Sequence, residues 1–305
     1  MLKKIILIAG PTASGKSKIA ISIAKKIKGE IINADSMQIY KEFTILTSRP
    51  DKKDLKKVKH HLYGFLSVKK HFSTGQWLKK VKTKILNLNS KKKTAIIVGG
   101  TGLYFNSILK GLSKIPEINS KKRQKIRSYH KKIGQRKFYN LLIKKDPLCK
   151  DKFDSTDIQR TLRAYEVKYY TKKSLYEWFK NTKSDFKGYS IKKIFINTPK
   201  DQLLKNIGTR INQMIKKGCF EEVKNFQSLK VDKLLSANKI IGVSEIIDYL
   251  DNKTDIDQLK ENLLIKTRQY AKRQKTWSRG HMREWNMIYY KNTSVLLKKV
   301  LNLVS

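Results

Sequence analysis

An apolar segment near the start of the chain runs directly into a glycine-rich loop, and this junction constrains the fold more than any other feature. Residues 3–9 consist of two lysines and then five consecutive apolar residues, as in a strand buried on both faces, and isoleucines recur at helical spacing from residue 19 onward. The residues between the two segments are Gly10, Pro11, Thr12, Ala13, Ser14, Gly15, Lys16 and Ser17. This pattern of glycines followed by lysine and serine, placed between a strand and a helix, is typical of a loop that binds a di- or triphosphate.

Each part of this loop has a chemical task. The glycines let backbone N–H groups converge on phosphate oxygens, and the positive end of the following helix adds to that field. Lys16 is expected to neutralise phosphate charge, and the Ser17 hydroxyl is expected to ligate Mg²⁺. The pattern does not distinguish a nucleotide from another diphosphate.

Further buried strands follow along the chain, at residues 30–34, 94–98 and 191–197, with helical segments between them. Strands that alternate with helices predict an α/β fold, here a P-loop NTPase-like parallel sheet flanked by helices. Between residues 113 and 187 the chain is rich in lysine and arginine, has helical spacing and contains no convincing strand. We therefore predict a catalytic domain formed by residues 1–112 and 188–305, interrupted by an all-helical insertion domain at 113–187.

The net charge of +45 favours a polyanionic partner, most often a nucleic acid. Part of this charge is compositional, since 58 of the 69 basic residues are lysine, as AT-rich coding produces. Codon bias does not explain the eleven arginines, most of which fall between residues 123 and 163 or between 268 and 283.

Composition also excludes several classes of protein. No apolar run approaches the ~20 residues needed to span a bilayer, so we expect no membrane association. Cys149 and Cys219 stand alone, without the spacing of a zinc site and without a sign of an oxidising compartment. We expect a cytoplasmic protein.

Polar residues follow two of the predicted strands. Asp35 and Ser36 come after the second strand, and Thr101 lies in a Gly-Gly-Thr-Gly turn after the third. Because parallel strands present their carboxyl ends at one edge of the sheet, both segments should approach the phosphate loop. Asp35 is a candidate metal ligand or general base. Taken singly, each segment also fits a plainer role, as a helix cap or a tight turn.

A basic run near the end of the chain has helical spacing. Arg268, Lys272 and Lys275 stand at i, i+4 and i+7, which places three cations on one stripe of a helix. In a chain this rich in lysine, a solvated basic face is the ordinary interpretation.

Taken in order, these segments resemble the bacterial tRNA dimethylallyltransferases. The resemblance rests on residues 10–17, 33–40, 98–104 and 267–277, with weaker likeness at His60-His61-Leu62, at residues 157–167 and at 210–214. It implies transfer of the dimethylallyl group from dimethylallyl diphosphate to N6 of adenosine 37, beside the tRNA anticodon, with release of diphosphate. It also implies that the helical insertion binds the anticodon stem-loop.

The resemblance assigns roles residue by residue. Asp35 becomes the general base, Thr101 helps to position the reacting groups, and Arg210 contacts the diphosphate held by residues 10–17. Mg²⁺ becomes the cofactor, held near Ser17. The residues expected to contact tRNA are Asp35, Ser36, Met37, Gln38, Thr101, Arg123, Gln159, Arg160, Thr161, Leu162, Arg163, Arg268 and Lys272. We expect the protein to act as a monomer.

The sequence departs from the family at Leu46, where glycine is common, which puts the local backbone shape in question. Three other functions fit parts of the chain. A small-molecule kinase would hold ATP in the loop, but it leaves the basic insertion unused. A prenyltransferase acting on free AMP or ADP has less need of the insertion. A non-catalytic RNA-binding protein has no need of an intact phosphate loop near Asp35.

Overall fold

In the computed structural model, which describes residues 3–290 and 293–304, six strands form one parallel sheet. The strands are β1 (Lys4–Ala9), β2 (Glu30–Asn33), β3 (His60–His61), β4 (Ala95–Gly99), β5 (Ser190–Asn197) and β6 (Asn286–Tyr289). Their spatial order is β3-β2-β4-β1-β5-β6, and each neighbouring pair runs parallel. The predicted parallel α/β sheet is confirmed, although the short strands β3 and β6 were not predicted.

Helices flank the sheet and also form the inserted segment. Those before the insertion are α1 (Lys16–Lys26), α2 (Lys52–Lys57), α3 (Thr74–Ser90) and α4 (Gly102–Lys110). Those within it are α5 (Ser120–Ile133), α6 (Gln135–Lys145), α7 (Ile158–Thr171) and α8 (Leu175–Lys180). Those after it are α9 (Lys200–Lys216), α10 (Cys219–Ser228), α11 (Val243–Leu250), α12 (Ile256–His281) and α13 (Thr293–Val304).

The strand register brings three loops to one edge of the sheet. Ala9, the last residue of β1, pairs with Gly99 at the end of β4 and with Phe195 near the end of β5. The central strands are buried on both faces, which explains their near-continuous apolar sequences. The chain segments after β1, β4 and β5 therefore leave the sheet side by side, where ligands bind in parallel α/β folds.

The chain divides into two compact units, Met1–Ile108 with Phe186–Ser305, and Leu109–Asp185. The division lies within a few residues of the predicted domain boundaries at 113 and 187. The first unit holds the sheet. In the second unit, whose regular elements are helical throughout the described residues, a core forms around Phe138, Leu142 and Tyr165. No helix in the described part of the chain is both long enough and apolar enough to cross a membrane.

Candidate active site

The phosphate loop curls tightly between β1 and α1. Ala13 and Gly15 both have left-handed backbone conformations, with φ of 60° and 77°. Gly10 is closely packed, because a Cβ atom there would lie 2.8 Å from Ser14 Oγ and 3.0 Å from the Ile196 carbonyl oxygen. Lys16 Nζ donates a hydrogen bond of 3.0 Å to the Pro11 carbonyl, so its side chain folds back over the loop. The local sequence thus folds into a tight loop at the N-terminus of α1, a position at which phosphate groups bind in other proteins.

Distant side chains hold the carbonyl groups of this loop. Asn206 Nδ2 donates to the Ala13 carbonyl at 2.9 Å, and the Tyr290 hydroxyl donates to the Ser14 carbonyl at 2.7 Å. Ser14 is fully buried, and its Oγ lacks a hydrogen-bond partner among the described residues. Neither Asn206 nor Tyr290 lies in a sequence motif that indicates a role at the loop.

Arg210 extends from α9 to the loop. Its Nη1 donates to Thr12 Oγ1 at 2.6 Å, and its Nη2 donates to the Leu46 carbonyl at 3.1 Å. Desolvation lowers the pKa of Arg210, and the nearby Asp35 carboxylate opposes that shift. The guanidinium predicted to contact diphosphate is therefore already in place beside the loop.

The segment around Leu46 accommodates its departure from the family pattern. The Leu46 backbone does not adopt positive φ, and its side chain packs in an apolar cluster with only 3% of its surface exposed. The Glu222 carboxylate accepts hydrogen bonds from the N–H groups of Thr44, Ile45 and Leu46. Gly242 makes room for the larger residue, because a Cβ atom there would lie 2.7 Å from Leu46 Cδ2. The backbone that presents the Leu46 carbonyl to Arg210 is thus held from two sides.

Asp35 lies directly after β2 in a turn closed by its own side chain. Asp35 Oδ1 accepts the N–H of Met37 at 2.9 Å, and Asn33 Oδ1 accepts the N–H of Asp35 at 2.8 Å. The Thr101 hydroxyl accepts the N–H of Ser36 at 2.9 Å. The structure therefore brings Asp35, Ser36 and Thr101 together, as predicted from their positions after parallel strands. Thr101 is hydrogen-bonded to the segment that carries Asp35.

One cleft of about 830 Å³ joins the phosphate loop to Asp35 and Arg210. Met37, Gln38 and Thr47 also line it, together with apolar side chains from α9 and α12. Desolvation lowers the pKa of Lys16 to about 8, with Asp35 raising it and Arg210 lowering it. A cation that is depleted of water and faces a second cation is well suited to receive a polyanion.

Helix α12 contributes to the site through residues that the basic stripe did not include. Gln274 Oε1 accepts the N–H of Thr12 at 2.8 Å, while its Nε2 donates to the Gly100 carbonyl at 3.0 Å. Tyr270 and Arg273 line the cleft, with the guanidinium of Arg273 over the Tyr270 ring.

The predicted stripe itself is divided between two environments. Arg268 and Lys272 are exposed, as a nucleic-acid contact requires. Lys275 turns inward and donates a hydrogen bond of 2.7 Å to the Thr198 carbonyl. Lys275 therefore does not belong to a solvated basic face, because its long side chain reaches the residue that follows β5.

The residues predicted to contact tRNA from the inserted unit also differ in exposure. Gln159 and Arg160 are exposed at the start of α7. Thr161 is fully buried and Leu162 is 6% exposed, the latter within the core of this unit. The structure therefore places the side chains of Thr161 and Leu162 away from the surface, and contact of these two residues with tRNA stays a prediction.

The fold and the cleft define a P-loop protein that can hold a diphosphate beside a carboxylate. A model of the family described as IPP transferase matches residues 38–281. Proteins named tRNA dimethylallyltransferase are similar over most of their length. That of Pelagibacter ubique is 54% identical, covering 92% of this chain and 90% of the relative. That of Ehrlichia canis is 42% identical, covering 99% of both chains. The chain belongs to the IPP transferase family, which confirms the resemblance seen in its motifs.

Solved structures of similar fold are consistent with this family membership. The full-length tRNA isopentenylpyrophosphate transferase from Bacillus halodurans has a TM-score of 0.69 and 26% identity, covering 99% of this chain and 95% of that one. A eukaryotic dimethylallyltransferase acting on tRNA has a TM-score of 0.79 over 94% of this chain and 74% of that one. At 24% identity the latter likeness concerns the fold alone.

Proposed function

We propose that this transferase moves the dimethylallyl group from dimethylallyl diphosphate to N6 of adenosine 37 in tRNA. The observation that carries the proposal is the shared cleft, in which the phosphate loop, Arg210 and Asp35 face one cavity. The reaction needs positively charged donors for the leaving diphosphate and a base for the amine that loses a proton, and these groups must lie in one cavity. Membership of the IPP transferase family and relatives named tRNA dimethylallyltransferase support the same reaction.

The donor half of the site stabilises the leaving group. Backbone N–H groups of the loop, Lys16 and Arg210 present positive charge where the diphosphate gains charge as the allylic C–O bond breaks. Removing one preorganised donor of this kind typically costs about 3–4 kcal/mol of transition-state stabilisation. The hydrogen bond from Arg210 to Thr12 keeps the guanidinium oriented before substrate arrives.

The residues in the cleft suit a Mg²⁺ ion that arrives with the diphosphate. Magnesium usually takes one or two protein ligands and completes its shell with phosphate oxygens and water. Ser17 and Asp35 both line the cleft. The described residues contain no group of three or more His, Cys, Asp or Glu side chains that could hold a metal ion without phosphate ligands. Ser17 is the residue proposed to hold Mg²⁺, which when bound neutralises diphosphate charge.

The acceptor half uses Asp35 as general base. The adenine N6 nitrogen attacks the allylic carbon, the C–O bond to diphosphate breaks, and the proton from N6 passes to the Asp35 carboxylate. Oδ1 is occupied by the Met37 N–H, so we assign the proton to Oδ2. Thr101 acts as a positioning residue through Ser36, and this hydrogen bond fixes the turn that carries the base.

Recognition of the adenine requires that the base leave the anticodon-loop stack. Met37 and Gln38 line the cleft beside Asp35 and are proposed to contact the base. Gln38 Nε2 donates to the carbonyl groups of Thr47 and Ser48, which fixes the orientation of its amide. We propose that Arg268 and Lys272 add contacts to the RNA backbone.

The inserted unit contributes to the electrostatic attraction to RNA in this proposal. It contains 22 lysines and arginines against eight acidic residues. Arg123, Gln159, Arg160 and Arg163 are its proposed contacts with the anticodon stem-loop. Phosphate contacts of this kind set the register of the bound RNA, while the splayed base provides the specificity.

The test is incubation with Mg²⁺, dimethylallyl diphosphate and one of two tRNA transcripts that differ only in adenosine or guanosine at position 37. Mass spectrometry of nucleosides should reveal N6-isopentenyladenosine with the first transcript and none with the second. Free AMP and ADP serve as alternative acceptors, and rapid prenylation of either in place of tRNA would support a free-nucleotide prenyltransferase. ATP-dependent phosphorylation without use of the prenyl donor would support a kinase.

A further inference from the structure

A buried carboxylate lies beneath three arginines in the inserted unit. The side chain of Glu166, on α7, is only 3% exposed. Arg123 Nε lies 3.6 Å from its Oε2, Arg127 Nε lies 3.8 Å from its Oε1, and Arg163 Nη1 lies 3.8 Å from Oε2. The two helices α5 and α7 thus place three guanidinium groups around one carboxylate, and the four groups together carry a net charge of +2.

The hydrogen bonding of this cluster is incomplete. Charge-assisted hydrogen bonds between guanidinium and carboxylate normally span ~2.7–2.9 Å, and all three contacts here are longer. Three buried atoms of the cluster lack a hydrogen-bond partner among the residues that the structure describes: Arg123 Nε, Arg163 Nη1 and Glu166 Oε1. Burial raises the pKa of Glu166, although the three arginines act to lower it. Such an arrangement is expensive unless another anion completes it.

The outer faces of the arginines remain accessible. The side chains of Arg123, Arg127 and Arg163 are 39%, 42% and 36% exposed. Each guanidinium has five donors in a planar fork, so a carboxylate beneath it can fix its plane while other donors point outward. Arg160 stands apart, with 65% of its side chain exposed and its Nε 3.5 Å from Asp157.

We propose that Arg123, Arg127 and Arg163 form one binding site for backbone phosphate of RNA, and that Glu166 is its positioning residue. The inference rests on the proposed function for the identity of the RNA as tRNA. It adds Arg127 and Glu166 to the contacts that the motifs indicated, and it gives Glu166 a role through the arginines without contact to RNA. The phosphate supplies the acceptor oxygens that the single carboxylate does not.

The test measures binding of a synthetic anticodon stem-loop RNA to the full chain at several salt concentrations. Arg127→Gln should weaken binding about tenfold and lower the slope of log affinity against log salt by about one. Arg136→Gln is the matched control, because Arg136 is an exposed arginine of the same unit outside the cluster. It removes the same charge and should weaken binding less than about twofold. Equal effects of the two variants would overturn the site.

Glu166→Gln separates positioning from simple charge. This variant makes the protein more positive, so attraction by net charge alone predicts tighter RNA binding. Loss of the anchoring carboxylate predicts weaker binding, by about fivefold or more, because the three guanidinium groups then repel one another without a fixed arrangement. Tighter or unchanged binding by the folded variant would contradict the positioning role. Should the variant unfold, as circular dichroism would show, the Arg127 and Arg136 pair still decides whether the site exists.

The outcome is separable from that of the proposed function. Wild-type protein that prenylates adenosine 37, with Arg127→Gln binding RNA as well as Arg136→Gln does, would reject the phosphate site alone. Wild-type protein that fails to prenylate tRNA, but loses stem-loop binding selectively in Arg127→Gln, would reject the proposed reaction and keep the site.

Discussion

The Arg210 guanidinium donates a hydrogen bond of 2.6 Å to the Thr12 hydroxyl, joining two residues that lie 198 positions apart in the chain. The contact connects helix α9 to the phosphate loop and sets a second cation beside Lys16. The loop alone would grip a phosphate at a helix N-terminus. Arg210 adds a second positively charged donor beside the loop, and Asp35 lines the same cleft.

Replacing Asp35 should slow the chemical step and leave tRNA binding nearly unchanged. Asp35→Asn retains an oxygen that can accept the Met37 N–H but cannot take a proton from the amine. We expect kcat to fall by about 10²–10⁴-fold, as for loss of a general base, with affinity for tRNA nearly unchanged. Single-turnover kinetics with bound donor, together with direct RNA binding, measure the two effects separately. Turnover close to that of the wild type would show that Asp35 is not the base.

Arg210 should matter most in the step that expels diphosphate. Arg210→Gln removes a charged donor next to the loop, so kcat/KM should fall by about 10²–10³-fold. Arg210→Lys should recover little of this loss, because an ammonium group cannot reproduce the two directed hydrogen bonds of the guanidinium. Lys216→Gln, an exposed charge change on the same helix, is the control and should leave kcat/KM within about twofold.

Binding of the donor should depend on pH through Lys16. Its pKa of about 8 in the free protein is expected to rise when diphosphate binds, because the added negative charge favours the protonated amine. Affinity is therefore fully present below that value and falls as the pH rises above it, by at most about tenfold per pH unit. The phosphate groups themselves titrate lower, near pH ~6.

Calorimetric titration on both sides of the Lys16 pKa measures this dependence. Lys16→Met serves as the control, since it should bind dimethylallyl diphosphate weakly and without the decline at alkaline pH. An equally steep decline in Lys16→Met would assign the titration to another group.

Gln274 should stabilise the loop from the side of α12. Gln274→Leu loses the bonds to the Thr12 N–H and the Gly100 carbonyl, and should lower the free energy of unfolding by about 1–3 kcal/mol. It should also raise the KM for dimethylallyl diphosphate. Gln269→Leu, on the exposed side of the same helix, should change stability by less than about 0.5 kcal/mol. Chemical denaturation of both variants checks the difference, and similar losses would mean that the two hydrogen bonds contribute little.

The parts of the site that were predictable from sequence are those encoded by local patterns. The phosphate loop reads directly from residues 10–17, and the strand before Asp35 places that carboxylate at the same edge of the sheet. The motif resemblance added Arg210, for which local sequence offers no signal. The strand β3 is only two residues long, too short for a pattern of alternation to predict.

Long-range contacts account for what sequence could not reveal. Asn206, Gln274 and Tyr290 reach the loop from positions about 200 or more residues away, and each is an ordinary polar residue in its own segment. The burial of Thr161 and Leu162 had a local signal, because neighbouring apolar residues on α7 place both on its inward side. For Lys275 no local sequence signal indicates the inward direction of the side chain, because a long, flexible side chain can extend away from the helix face on which its Cα lies.

In the proposed function, the phosphate loop holds a leaving group and not a nucleotide. It is tested most directly by measuring diphosphate release in a mixture of tRNA, Mg²⁺, dimethylallyl diphosphate and ATP. We expect one diphosphate for each N6-isopentenyladenosine formed, with ATP unchanged and with release abolished when the tRNA is omitted. Consumption of ATP while dimethylallyl diphosphate persists would contradict it.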